Sequence, residues 1–125
     1  MSGQSDGQML RIMCASKIHG ATVTQTELQY EGSITLPADL MRAVDILPDQ
    51  QVQIVNMANG SRIETYVIEG PAGSGDICLN GPAARSACVG DQIHILCYAL
   101  MDEEEARGRA LNVLHVDGTN RPTGK

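Results

Sequence analysis

Val52-Gln53-Ile54-Val55-Asn56-Met57-Ala58-Asn59-Gly60-Ser61-Arg62-Ile63-Glu64-Thr65-Tyr66-Val67-Ile68-Glu69 reads as two β-strands joined by a turn. Asn-Gly between two runs rich in β-branched residues is a strong hairpin signal, because both residues accept positive φ at low cost. Val52 to Met57 is therefore one strand and Arg62 to Glu69 its return. Side chains alternate across a strand, so Arg62, Glu64 and Tyr66 share one face, with Ile63, Thr65 and Val67 on the other. Arg62 and Tyr66 can thus share a site. A solvated Arg–Glu surface explains the same face equally well.

The pattern stays mainly β on both sides of this hairpin. Upstream, Met9 to Val23 mixes apolar and β-branched residues without helix caps, which predicts an extended segment broken near Gly20, with Lys17 and His19 on one face. Ile34-Thr35-Leu36 is a further strand. Pro37 then starts a short amphipathic helix over Ala38 to Val44, its apolar residues three and four apart. Downstream, Gly70 to Gly75 is a loop, Ile77 to Leu79 a short strand, and Asn80 to Arg85 a turn entering a brief helix. Gln92 to Leu100 is a long strand, and Asp102-Glu103-Glu104-Glu105 carries the negative charge that suits a helix N-terminus. Asp49-Gln50-Gln51-Val52-Gln53-Ile54 is echoed by Asp91-Gln92-Ile93-His94-Ile95, which hints at two related halves. Six or seven short strands with two brief helices fit a small closed β-barrel, an architecture that leaves no sheet edge exposed.

Composition narrows the function. The chain of 125 residues suits one domain with a real core, and that core must be aliphatic, since there is no Phe or Trp and only Tyr30, Tyr66 and Tyr98 among the aromatics. A net charge of −6 without a basic cluster argues against nucleic-acid and anionic-membrane partners and favours small polar ones. Against that background Lys17 and Arg62, inside apolar runs, are candidate anion ligands; snorkelling surface side chains are the plainer account. Cys14, Cys78, Cys88 and Cys97 are widely spaced and lack metal-ligand spacing, so they read as buried free thiols. The polar residues 1–8 are neither a signal peptide nor an anchor; they read as a disordered tail, and the protein as cytoplasmic.

One dipeptide carries unusual chemistry. If Gly32 is held strained, the Ser33 hydroxyl can attack the Gly32 carbonyl and exchange the amide for an ester, whose elimination and hydrolysis leave a ketone on the former serine. Most Gly-Ser pairs are ordinary turns. A lone His19 in a strand is likewise more often structural than catalytic. The Asn80-Gly81-Pro82 turn can offer backbone N–H groups to an anion, or merely cap its helix.

Taken together, Lys17-Ile18-His19, Tyr30-Glu31-Gly32-Ser33, Asn59-Gly60-x-Arg62-x-x-Thr65-Tyr66, Asn80-Gly81-Pro82-Ala83-Ala84 and Gly90-Asp91 resemble, in order and spacing, the aspartate 1-decarboxylase family. The likeness runs from about Met9 to past Val116. It implies a double-psi β-barrel over residues 9–117, with residues 118–125 as a flexible tail, and a homotetramer. It implies self-cleavage between Gly32 and Ser33, then conversion of L-aspartate to β-alanine and carbon dioxide for pantothenate, and so coenzyme A, synthesis. The implied cofactor is a covalent pyruvoyl group made from Ser33, which takes the substrate amine as a Schiff base, with no metal and no pyridoxal phosphate.

By motif position, Tyr66 corresponds to the proton donor, and Thr65 to a residue that helps the cleavage and touches substrate. Lys17 and Arg62 correspond to carboxylate ligands, and Asn80, Gly81, Pro82 and Ala83 to the substrate-positioning segment. His19 and Tyr30 are secondary candidates. Pro82 stands where some relatives carry alanine, and Val55 where some carry tryptophan. The competing reading is a non-catalytic barrel that binds an anion through Arg62 and Lys17.

Overall fold

The structure, a computed structural model, describes residues 8–124. The proposed disordered segment over residues 1–8 falls almost wholly outside them. In chain order the elements are β1 (Arg11–Thr22), β2 (Gln25–Glu27), β3 (Ser33–Pro37), α1 (Ala38–Ala43), β4 (Gln51–Asn56) and β5 (Arg62–Gly70). There follow β6 (Cys78–Asn80), a 3₁₀ helix (Gly81–Ser86), β7 (Gln92–Met101), α2 (Glu103–Gly108) and β8 (Asn112–His115).

The hairpin forms as its sequence dictates, with Val55 opposite Arg62 and Gln51 opposite Tyr66. Its turn is longer than a two-residue one: Gly60 N–H donates to the Asn56 carbonyl and Asn56 N–H to that of Ser61, with Gly60 at φ 74°. Around the hairpin the strands run in the order β2-β6-β3-β5-β4-β7-β1-β8. Only Val23 and Thr24 separate β1 from β2, yet these strands lie near opposite ends of that order. Val23 N–H donates to Asp91 beside β7, and Thr24 N–H to Ile77 beside β6, so the chain itself carries the sheet round on itself. The result is the small, mainly β barrel expected.

Its core is aliphatic, as the composition requires. Ile18, Ile34, Leu36, Leu40, Ile54, Val67, Ile77, Leu79, Ile93 and Ile95 are all buried and form one cluster. The echoed segments meet inside it, Ile54 of β4 facing Ile95 of β7. In α2, Asp102 accepts from Glu105 N–H while the Glu105 carboxylate accepts from Asp102 N–H, a reciprocal cap at the helix N-terminus whose charge the acidic run suits.

The break near Gly20 is a β-bulge. Ile18 pairs with Ile95 and Ala21 with Ile93, so His19 and Gly20 together stand opposite His94 alone, with Gly20 at φ 82°.

Three expectations need correction. β2 and β8 raise the strand count among the described residues to eight, above the six or seven read from the sequence. Cys88 is exposed and Cys14 only half-buried, so of the four free thiols just Cys78 and Cys97 are buried. The supposedly loose segment from residue 118 is docked instead: Val116 bridges to Pro122, and Asn120, only 1% exposed, donates to the carbonyls of Thr22 and Gly75.

Candidate active site

Ser33 opens β3 and is wholly buried. Antiparallel pairing sets it opposite Asn80, the last residue of β6, and the Asn80 amide donates to the Ser33 hydroxyl at 2.7 Å. The same amide donates to the Thr35 hydroxyl at 3.1 Å. Asn80 Oδ1 accepts in turn from the Cys78 thiol at 3.1 Å. Burial, reinforced by the Glu27 carboxylate, pushes that thiol up from its ordinary value and keeps it protonated, hence a donor. Both N–H groups of the Asn80 amide and one acceptor position of its oxygen are thereby used, which fixes its orientation and keeps an N–H on Ser33.

Thr35 and Cys78 are not among the site candidates read from the sequence, where Cys78 figures only as a buried thiol and Thr35 only as a strand residue. The signal was nonetheless there, since Ser33-x-Thr35 and Cys78-x-Asn80 are residues two apart on strands and share a face.

After Asn80 the chain turns sharply against the Gly32 segment. Gly81 has φ 62°, and a Cβ there would lie 2.6 Å from the Tyr30 carbonyl oxygen and 2.7 Å from Gly32 N. Only glycine permits this approach. Gly32 itself is not among the residues with positive φ, and a Cβ there would meet nothing closer than Pro82 Cδ at 3.5 Å. The conformational demand that the sequence analysis placed on Gly32 is thus carried by Gly81.

Pairing of β3 with β5 begins only at Ile34 and Val67, so no described strand covers that side of Ile63 to Tyr66. A cleft of about 480 Å³ opens there, bounded by Ile63, Glu64, Thr65 and Tyr66 on one side and by Gly32, Pro82 and Ala83 on the other. Tyr66 is 37% exposed and reaches this space. A second cleft, about 330 Å³, is lined by Tyr30, Thr35, Cys78 and Asn80 among others. Gly32, Thr65, Tyr66, Pro82 and Ala83 therefore share one cleft, with Gly81 packed against the Tyr30–Gly32 backbone, while Asn80 and Tyr30 line the second.

The two candidate anion ligands lie elsewhere. Arg62 is exposed and donates to Gln53 Oε1 at 2.8 Å, while Gln53 donates to Glu64, so a glutamine links the Arg62 and Glu64 side chains. Lys17 and His19 point outward from β1, and β5, β4 and β7 separate that strand from β3. The His19 ring stacks on His94 at 4.1 Å and meets His115 at 4.9 Å, bringing together all three histidines of the chain.

A family profile described as aspartate decarboxylase matches residues 9–123. The chain belongs to the aspartate decarboxylase family. Aspartate 1-decarboxylase of Thermoanaerobacter pseudethanolicus is 53% identical over 114 residues, covering 91% of this chain and 97% of that protein. The aspartate 1-decarboxylase of Pelotomaculum thermopropionicum is 56% identical over 113 residues, covering 90% and 86%. That of Dehalococcoides mccartyi is 54% identical over 111 residues, covering 89% and 90%. Membership of the aspartate decarboxylase family removes the non-catalytic reading and makes this chain a decarboxylase.

Proposed function

We propose that this decarboxylase cuts itself between Gly32 and Ser33 and then converts L-aspartate to β-alanine and carbon dioxide with the pyruvoyl group so made. The observation that carries the reading is the 2.7 Å hydrogen bond from Asn80 to a serine shut away from water. A nucleophilic hydroxyl needs its lone pair aimed and bulk water excluded, since otherwise the ester would hydrolyse before elimination. The group's requirements fit the residues present: Ser33 is buried, its Oγ accepts from an Asn80 amide that Thr35 also holds, and the Gly81 turn closes on Gly32. Once formed, the ketone supplies an electron sink for the carboxylate that leaves as carbon dioxide.

The chain's own side chains do the rest. Tyr66, in the cleft beside Gly32, is placed to deliver a proton to the carbon left behind. Thr65 reaches the same space and serves both the cleavage and the substrate. Arg62 and Lys17 hold the substrate carboxylates, and because neither lines the cleft within one chain, a neighbouring copy in a homotetramer brings them there. His19 accompanies Lys17. The work is done in the cytoplasm, a compartment in which four free thiols persist.

Intact-mass analysis of the purified protein tests the self-processing. Two fragments should appear, the larger one lighter by one ammonia than plain hydrolysis would give. Ser33→Ala should remain whole, folded and inactive; β-alanine formed by that variant would sink the reading.

A further inference from the structure

His94 has no part in the site described above, yet it stands opposite the bulge that shapes the strand carrying Lys17 and His19. Its Nδ1 accepts the Gly20 N–H at 3.0 Å. A ring nitrogen accepts a hydrogen bond only when it carries no proton, so this contact requires neutral His94 with its proton on Nε2. Gly20 is the left-handed residue of the bulge, and bulges redirect the side chains next to them. The His19 ring is stacked face to face on His94, so one side chain holds both residues of the bulge.

We propose that His94 is a positioning residue: as a neutral imidazole it fixes the His19–Gly20 bulge and with it the outward pose of Lys17 and His19, and on protonation it lets that pose go. The inference rests on the reading that Lys17 and His19 serve the substrate.

The surroundings oppose a proton on this ring. Lys17 and His19 come from β1 and His115 from β8, where parallel pairing sets it beside His19. From the other flank β4 places Val55 opposite His94, and beyond it lies Arg62 on β5. Asp117, two residues past His115, is already engaged by Thr119 and Arg121. Charges acting on the two rings are thus cationic. Burial first, then His19 and Lys17, holds His94 below its ordinary value; burial, then Lys17 and His115, does the same for His19.

The sign follows. A histidine whose folded value is lowered takes up its proton more readily once released from this packing, so the bulge is secure above about 6.5, the ordinary histidine value, and weakens as pH falls below it.

The test uses the matured enzyme, with KM and kcat for L-aspartate measured between neutral pH and the acid limit of stability, alongside nitrogen-15 NMR of labelled histidine and of the Gly20 amide. In the wild type KM should rise only on the acid side of pH 6.5, as pH falls through the lowered value of His94, by up to roughly tenfold per unit, the limit for one linked proton. The Gly20 amide should lose its hydrogen bond over the same range. His94→Asn puts an amide oxygen where Nδ1 was and cannot titrate, so its KM should stay flat. His94→Phe keeps a ring against His19 but no acceptor, and should show a raised KM at every pH.

An unchanged acid rise in His94→Asn, or a Gly20 amide indifferent to His94 protonation, overturns the proposal. Lys17→Met is the separate control, since unchanged KM there would remove this face from the site while the NMR arm still judges the bulge.

Discussion

A tyrosine and an arginine four residues apart on β5 share a strand face but have different surroundings, and the roles proposed for them differ accordingly. Tyr66 borders the cleft beside Gly32, whereas Arg62 is exposed and held by Gln53. Tyr66→Phe keeps the ring and deletes the proton, so maturation and aspartate binding should survive while kcat falls by about a hundredfold or more. Arg62→Lys keeps the charge but loses the planar fork that grips a carboxylate at two points, so it should mainly raise KM. Steady-state kinetics on both processed variants, with fragment masses confirming cleavage, separates the two roles. Near-normal turnover in Tyr66→Phe would move the proton to another donor.

At the scale of elements, the site exists because β3 starts late and the 3₁₀ turn starts early. The first leaves an uncovered edge on β5, and the second presses Gly81 against the backbone from Tyr30 to Gly32. Gly81→Ala should therefore act on maturation. A side chain at φ 62° costs about 1–2 kcal/mol, before counting the overlap with the Tyr30 carbonyl, which only movement of the Gly32 segment can relieve. We expect a lowered Tm and slowed or abolished cleavage, followed by intact mass against time; cleavage at the wild-type rate would show that the contact does not hold the scissile segment.

The sequence disclosed those elements whose cause is local. The hairpin, α1 and the break at Gly20 each follow from residue period or from a glycine in place. β2 and β8 escaped because three or four residues carry too little period, and each is a strand only by virtue of a remote parallel partner. The docked C-terminal segment escaped for a similar reason, since Asn120 is satisfied by Thr22 and Gly75, far away in sequence. Of the residues that motif order singled out, Gly32, Thr65, Tyr66, Pro82 and Ala83 come together at one cleft and Ser33 pairs with Asn80, while the His94 contact with Gly20 depends on a β1–β7 register that no local pattern encodes.

For the whole molecule, the sheet order raises a question of assembly, because β5, β4 and β7 lie between Lys17 on β1 and Ser33 on β3. An exposed apolar patch gives a second copy somewhere to bind: Ile12 is 74% exposed and Leu100 65%, they are paired across β1 and β7, and Met9 and Leu10 extend the patch. Light scattering should report a tetramer. Subunit mixing then asks who supplies Lys17. Ser33→Ala chains cannot form the pyruvoyl group but keep Lys17; Lys17→Ala chains do the reverse, and intact mass checks that they mature. Each variant alone should be nearly inactive. Unfolded together in equal amounts and refolded, they should recover about a quarter of the wild-type rate, if subunits mix at random and each site borrows Lys17 from one neighbour. If Lys17 instead served the Ser33 of its own chain, no hybrid would hold both groups in one site, and the mixture would stay as inactive as its parts.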